Sequence, residues 1–131
     1  MIVKLTAGAI GAALILGLGV APAATAGAAS LAGDPARGAG VYERCEGCHS
    51  LDANRVGPMH RGVFGREAGA VLDFAYSSAL AGSGLVWDEV TLDAWLTNPG
   101  KLVKGTKMGF RLNDAQARAD VIAYLRQESA Q

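Results

Sequence analysis

Both cysteines of the 131-residue chain and one of its two histidines fall within five positions, Cys45-Glu46-Gly47-Cys48-His49. C-x-x-C-H is the attachment pattern of c-type haem. Two thiols at this spacing can add across the two vinyl groups of one haem as thioethers. The adjacent imidazole is then held under the iron as an axial ligand. Three other chemistries compete for the same residues. A Cys45–Cys48 disulfide closes a small ring and leaves His49 unexplained. A thioredoxin-like redox pair requires a βαβ setting, and the sequence offers none. A zinc site requires about four ligands, and only Cys45, Cys48, His49 and His60 are on offer outside the N-terminal segment. The direct Cys-His adjacency, with the export signal described below, favours one covalently bound haem per chain.

An iron that only exchanges electrons takes a second axial ligand. Met59 follows His49 by ten residues beside Pro58, too short a path to the opposite face. Met108 sits far along the chain in Gly105-Thr106-Lys107-Met108-Gly109, a loop able to wrap around. A lone methionine is more often core filler, but the glycine-flanked loop and the haem motif reverse that expectation. A thioether ligand raises the haem potential and leaves no open position for oxygen or peroxide.

These residues must be positioned by helices. Asp34-Pro35 is an N-cap followed by proline at the first helical position, and predicts a helix to about Arg44 with Val41 and Tyr42 on its inner side. A glycine-marked stretch runs from Gly57 to Gly69. The pattern then predicts a short helix over Phe74–Ala81, a clearer one over Asp88–Thr97 stopped by Asn98-Pro99, and a last one over about Asp114–Glu128 capped by Asn113. Ala117, Val121, Tyr124 and Leu125 form a stripe on the last helix at spacings of three and four. Nothing alternates long enough for a convincing strand, so the expected class is all-α with substantial loops.

Half of all residues are hydrophobic, but unevenly so: residues 1–26 hold 18 of them, although Lys4 is the sole charge before Asp34. The apolar run Ile10–Val20 makes a helix of roughly 16 Å, against about 30 Å of hydrocarbon. With Ala24-Thr25-Ala26 behind it, the segment reads as a signal peptide over 1–26, cut after Ala26. The alternative is an uncleaved anchor in the inner membrane, the only route by which this chain would engage a membrane. Residues 27–131 form the one expected domain, placed in a bacterial periplasm. Twelve basic and twelve acidic residues give no net charge, which argues against a nucleic-acid partner. Locally, Lys101, Lys104, Lys107 and Arg111 cluster, and Asp88, Glu89 and Asp93 form an acidic group.

In order along the chain stand Cys45-x-x-Cys48-His49, Gly57-Pro58, Gly62-Val63-Phe64-Gly65-Arg66, Phe74-Ala75-Tyr76, Trp87, Asn98-Pro99, Gly105-Thr106-Lys107-Met108-Gly109-Phe110 and Ile122-Ala123-Tyr124-Leu125. The set resembles the class I c-type cytochromes, from Gly33 to Leu125. The resemblance implies helices and loops wrapped around one haem c, with N- and C-terminal helices packed together. It implies His49 and Met108 as axial ligands, and the Pro58 carbonyl as acceptor for the outer N–H of His49. Tyr76 and Trp87 would donate to a haem propionate, and Arg66 would compensate propionate charge. Gly38 and Tyr42 would meet Val121 and Tyr124.

The chain also departs from the pattern. Lys104 stands where relatives often carry proline, which implies a less rigid methionine loop. Leu80 replaces an asparagine, which implies a drier site and a higher potential. Trp95 stands in place of a tyrosine near the methionine. Met59-His60-Arg61 is atypical, and His60 is expected to be a surface residue or a structural donor rather than an alternative ligand. The function so implied is a monomeric one-electron carrier of a respiratory or photosynthetic chain, without catalysis of its own. Its partners would be a cytochrome bc-type complex, a terminal oxidase or a periplasmic dehydrogenase. The competing function is a haem protein whose Met108 detaches, acting as a peroxidase or gas sensor.

Overall fold

A computed structural model describes residues 31–131; the expected signal peptide and its cleavage point lie outside the described residues. Asp34 is the extended N-cap of α1, Pro35–Tyr42: its carboxylate accepts from the Arg37 N–H and Pro35 opens the helix. Past Tyr42 the hydrogen bonds tighten from four residues to three, with Arg44 N–H on the Val41 carbonyl at 3.1 Å and Cys45 N–H on the Tyr42 carbonyl at 2.7 Å. The helix therefore stops two residues short of Arg44, and turns carry the chain through Cys48.

The Phe74–Ala81 expectation is corrected to a single turn, α2, Ser78–Ala81. Ser77 is extended and its hydroxyl caps the Leu80 N–H, so Phe74–Tyr76 approach as extended chain. Helix α3, Glu89–Thr97, begins with a reciprocal cap between Asp88 and Thr91. Asn98 does more than stop it. The Asn98 carboxamide also caps the Lys101 N–H and, with Pro99 at the first position, starts an additional short helix, α4, Pro99–Leu102. Helix α5, Ala115–Ser129, is capped by Asp114 rather than Asn113. Among the described residues the one β pairing is an antiparallel bridge, Glu67 to Val86; with the Trp87 N–H on the Arg66 carbonyl at 2.9 Å it fixes Trp87 beside the loop carrying Arg66.

Helices α1 and α5 pack face to face. Gly38 makes this possible: a side-chain carbon there would stand 2.6 Å from the Asp120 carbonyl carbon and 2.8 Å from the Tyr124 Cβ. Tyr42 and Tyr124 meet with ring centroids 5.2 Å apart, above Val121 and Leu125, which are buried. Burying each such aliphatic side chain contributes about 1.5–3 kcal/mol. The clasp is closed by Arg37, whose Nε and Nη2 each donate to the Asp120 carboxylate at 2.8 Å. The same carboxylate accepts from the Asp34 N–H and from Gln116.

Between α4 and α5 the chain runs from Val103, whose N–H donates to the Pro99 carbonyl at 2.8 Å, to Leu112, whose N–H donates to the Leu96 carbonyl at 2.8 Å. Both side chains are buried. The segment carrying Met108 is thus pinned at each end.

Candidate functional site

The turn after α1 presents Cys45 and Cys48 and turns His49 inward. Cys48 and His49 both donate their N–H to the Cys45 carbonyl, at 3.0 and 2.9 Å. Cys45 is partly buried and Cys48 exposed. Burial pushes the Cys45 thiol up to about 11, so it is uncharged at neutral pH. His49 is buried, and its Nδ1 lies 2.8 Å from the Pro58 carbonyl oxygen. An N–H there would donate to that carbonyl, leaving Nε2 with its lone pair, as a metal-binding imidazole requires. Burial lowers the His49 pKa, opposed in part by the Pro58 hydrogen bond.

Beside these residues is a cavity of about 560 Å³, within the range of roughly 300–1,000 Å³ typical of small-molecule and cofactor sites. Cys45, Cys48, His49, Pro58, Arg66, Tyr76, Trp87 and Met108 all line it. Every residue named from the sequence as a site residue is therefore brought to one cavity. Met59 is not among the residues lining it. Leu80, Leu92, Trp95, Leu96, Val121 and Leu125 supply an apolar lining. Trp95 packs on Trp87 at 5.1 Å between ring centroids, in keeping with a packing role.

The lining also suits the ends of a haem. Its charged members among the described residues are Arg44, Arg66 and Lys107, with no carboxylate. Two thiols, an inward imidazole, a thioether, an apolar lining and cations without acids match a flat apolar iron macrocycle bearing two carboxylates. Arg66 donates to the Met59 and Arg61 carbonyls at 2.8 and 3.1 Å. The Tyr76 hydroxyl accepts from the Val71 N–H at 3.3 Å, which leaves its own hydrogen free to donate. Lys107 Nζ donates to the Ala75 carbonyl at 2.9 Å, tying the methionine loop to the Phe74–Tyr76 segment. Cys48, Val56 and Phe110 line the cavity yet are exposed, Val56 to 79%; the cavity opens to solvent at these residues.

Three further residues contribute to the site. Gly57 gives the His49 ring its space, since a side-chain carbon there would lie 2.5 Å from Nδ1 and 2.6 Å from Nε2. Its signal in the sequence is the Gly57-Pro58 pair. Arg44 lies over the Phe110 ring at 5.7 Å, a pairing between distant segments that no local motif carries. His60 is half-buried rather than on the surface. It lines the cavity, and its Nδ1 is 3.2 Å from the Tyr42 hydroxyl oxygen.

The profile of the Cytochrome c family matches residues 35–129. Cytochrome c2 of Rhodomicrobium vannielii is 46% identical over 104 residues, covering 76% of this chain and 83% of that protein. Cytochrome c 2.1 of Caenorhabditis elegans is 47% identical over 103 residues, covering 76% of this chain and 93% of that protein. The solved structure of cytochrome cH from Methylobacterium extorquens superposes with a TM-score of 0.70 at 43% identity, covering 72% of this chain and 99% of that chain.

Proposed function

The chain belongs to the cytochrome c family, as a class I c-type cytochrome, and from that premise we propose that it is a periplasmic one-electron carrier whose iron is held by His49 and Met108. A haem electron-transfer protein with covalent haem c is what membership of the family entails. The observation that carries the finer reading is the single cavity shared by the C-x-x-C-H turn and the pinned methionine loop.

Bound haem supplies a ferric–ferrous couple. Cys45 and Cys48 would tether it through thioethers. An Nδ1–H donating to the Pro58 carbonyl would leave the His49 Nε2 lone pair to hold the iron. Leu80, Trp87, Trp95 and Leu96 exclude water from the interior of the site, which limits solvent rearrangement when the charge changes. Arg66, Tyr76 and Trp87 would meet the propionates. The exposed residues Cys48, Val56 and Phe110 mark the edge at which electrons would pass. Lys101, Lys104, Lys107 and Arg111 are all exposed, and would steer that edge to acidic docking sites on a cytochrome bc-type complex, a terminal oxidase or a periplasmic dehydrogenase. Export rests on the character of residues 1–26; among the described residues no helix is long and apolar enough to cross a membrane.

The absorption spectrum of protein expressed with export tests the reading. A low-spin c-type spectrum with a weak far-red methionine-to-iron band is expected for the wild type, and loss of that band for Met108→Ala. A band that survives in the variant removes Met108 as the ligand.

A further inference from the structure

His60 is used by none of the roles above, yet its place is closely built. Its N–H donates to the Ser50 carbonyl at 2.9 Å, and the next N–H, of Arg61, donates to the Leu51 carbonyl at 2.8 Å. Arg66 grips the carbonyls on either side of it, those of Met59 and Arg61. The Met59 N–H is held by the Asn54 side chain at 3.0 Å. Backbone freedom at this position is removed from both directions.

The side chain is fixed as well. The His60 ring lies against the His49 ring, with centroids 4.0 Å apart and planes 20° from parallel. Its Nδ1 shares a hydrogen bond with the Tyr42 hydroxyl, and Tyr42 is itself locked at 3% exposure between α1 and α5. The Pro58 carbonyl holds the His49 ring at one edge and Gly57 lies close against it. The His60 ring adds a flat aromatic neighbour stacked on its face.

We infer that His60 is a positioning residue: anchored by Tyr42, its ring sets the plane of the His49 imidazole within the cavity. The inference rests on the reading of His49 as an axial ligand. The plane of an axial imidazole decides which iron d orbital its π system overlaps. That in turn decides how unpaired spin spreads over the macrocycle in the ferric state. The paramagnetically shifted haem-methyl proton resonances therefore report the ring plane, whereas a filler of the same space would leave them in place.

The test is proton NMR of the ferric, haem-loaded full chain. His60→Ala should change the order or spread of the haem-methyl shifts while the far-red band persists. His60→Phe, which keeps a flat ring, should stay close to the wild-type pattern, and Tyr42→Phe should move it less than His60→Ala. An unchanged pattern in His60→Ala overturns the inference, as does a His60→Phe pattern displaced as far as that of alanine. If His60→Ala does not take up haem, His60→Leu, which fills the space without a flat ring, replaces it: a changed pattern supports the inference and an unchanged one overturns it. Failure of the underlying reading looks different: His49→Ala would then keep the wild-type low-spin spectrum.

Discussion

The α1–α5 clasp and the cavity-lining half are held together by different means. In the clasp, protein meets protein too closely for a side-chain carbon at Gly38, which lies against the Asp120 backbone, and a two-pronged Arg37–Asp120 pair spans the seam. Its seam is closed by the chain's own side chains, and only Val121 and Leu125 of α5 reach the cavity lining. The other half consists of loops, the one-turn α2 and the inner side of α3, with Phe74, Tyr76, Trp87, Trp95 and Phe110 arranged around a volume that protein does not fill. A chain of this length buries a modest share of its surface. The difference teaches that the fold divides its core between residues and cofactor: one half is self-sufficient and the other takes the haem as its centre.

The contrast can be broken most severely at the cysteines. Cys45→Ser with Cys48→Ser should abolish covalent haem, read as no c-type signal in a pyridine haemochrome assay. Near-UV ellipticity from Trp87 and Trp95 should collapse with it. If the aromatic signal keeps its full strength without haem, the cavity half is as self-sufficient as the clasp.

Gly38→Val strikes the other half. The added carbons meet backbone rather than a movable side chain, so a cost of about 3 kcal/mol, at the upper end for overpacking, is expected. In a domain of this size that lowers Tm by roughly 12–24 °C, with the haem spectrum unchanged below the transition. A variant that melts like wild type shows that the close approach is dispensable.

The clasp also has an acid limit. Arg37 holds the Asp120 carboxyl well below the ordinary carboxylate range, helped by the Asp34 N–H and Gln116 and opposed by desolvation. A free aspartate in the unfolded chain titrates near ~3.9. Above about pH 5 the carboxylate is ionised in both states and the stabilisation is fully present. As the pH falls, the unfolded state takes up its proton first, and the contribution disappears as the pH passes through the lower native value. The gap in Tm between wild type and Asp120→Asn should be constant above about pH 5 and narrow on acidification. A gap that widens contradicts the assignment.

The smallest effect concerns the exposed face. Lys104→Glu should slow electron exchange with an acidic partner severalfold at low ionic strength, and the difference should fade near 0.15 M salt. Equal rates for the two proteins at low salt leave the basic group as solvated surface only.

Much of the fold and of the site is legible in the residues, for reasons that can be named. The haem motif is local, and so is the cap at Asp34, because it needs side chain and backbone only three positions apart. Asn98 reads as a stop because a polar residue before proline ordinarily ends a helix; that the same side chain opens α4 depends on Val103 folding back to the Pro99 carbonyl. The residues Phe74–Tyr76 read as the start of a short helix running to Ala81, but the Ser77 cap begins the helix at Ser78 and leaves them as extended chain lining the cavity. His60 reads as a surface residue or a structural donor, and the sequence around it does not say to what. Its real surroundings, Tyr42 and His49, come from backbone pairing with Ser50 and Leu51 across the loop. A contact between distant segments that no motif carries, such as His60 with Tyr42, has no signature in one dimension.

The pinned ends of the methionine segment carry one more consequence. Val103 and Leu112 are each fixed by a backbone hydrogen bond and a buried side chain, while most of residues 104–111 lie near the surface. The stretch between these anchors behaves as a cassette. Loops set on a rigid frame accept replacement where core elements do not. With Met108 as the proposed ligand, a grafted segment of the same length carrying a different donor at position 108 would retune or reopen the iron site without the helices having to be designed again.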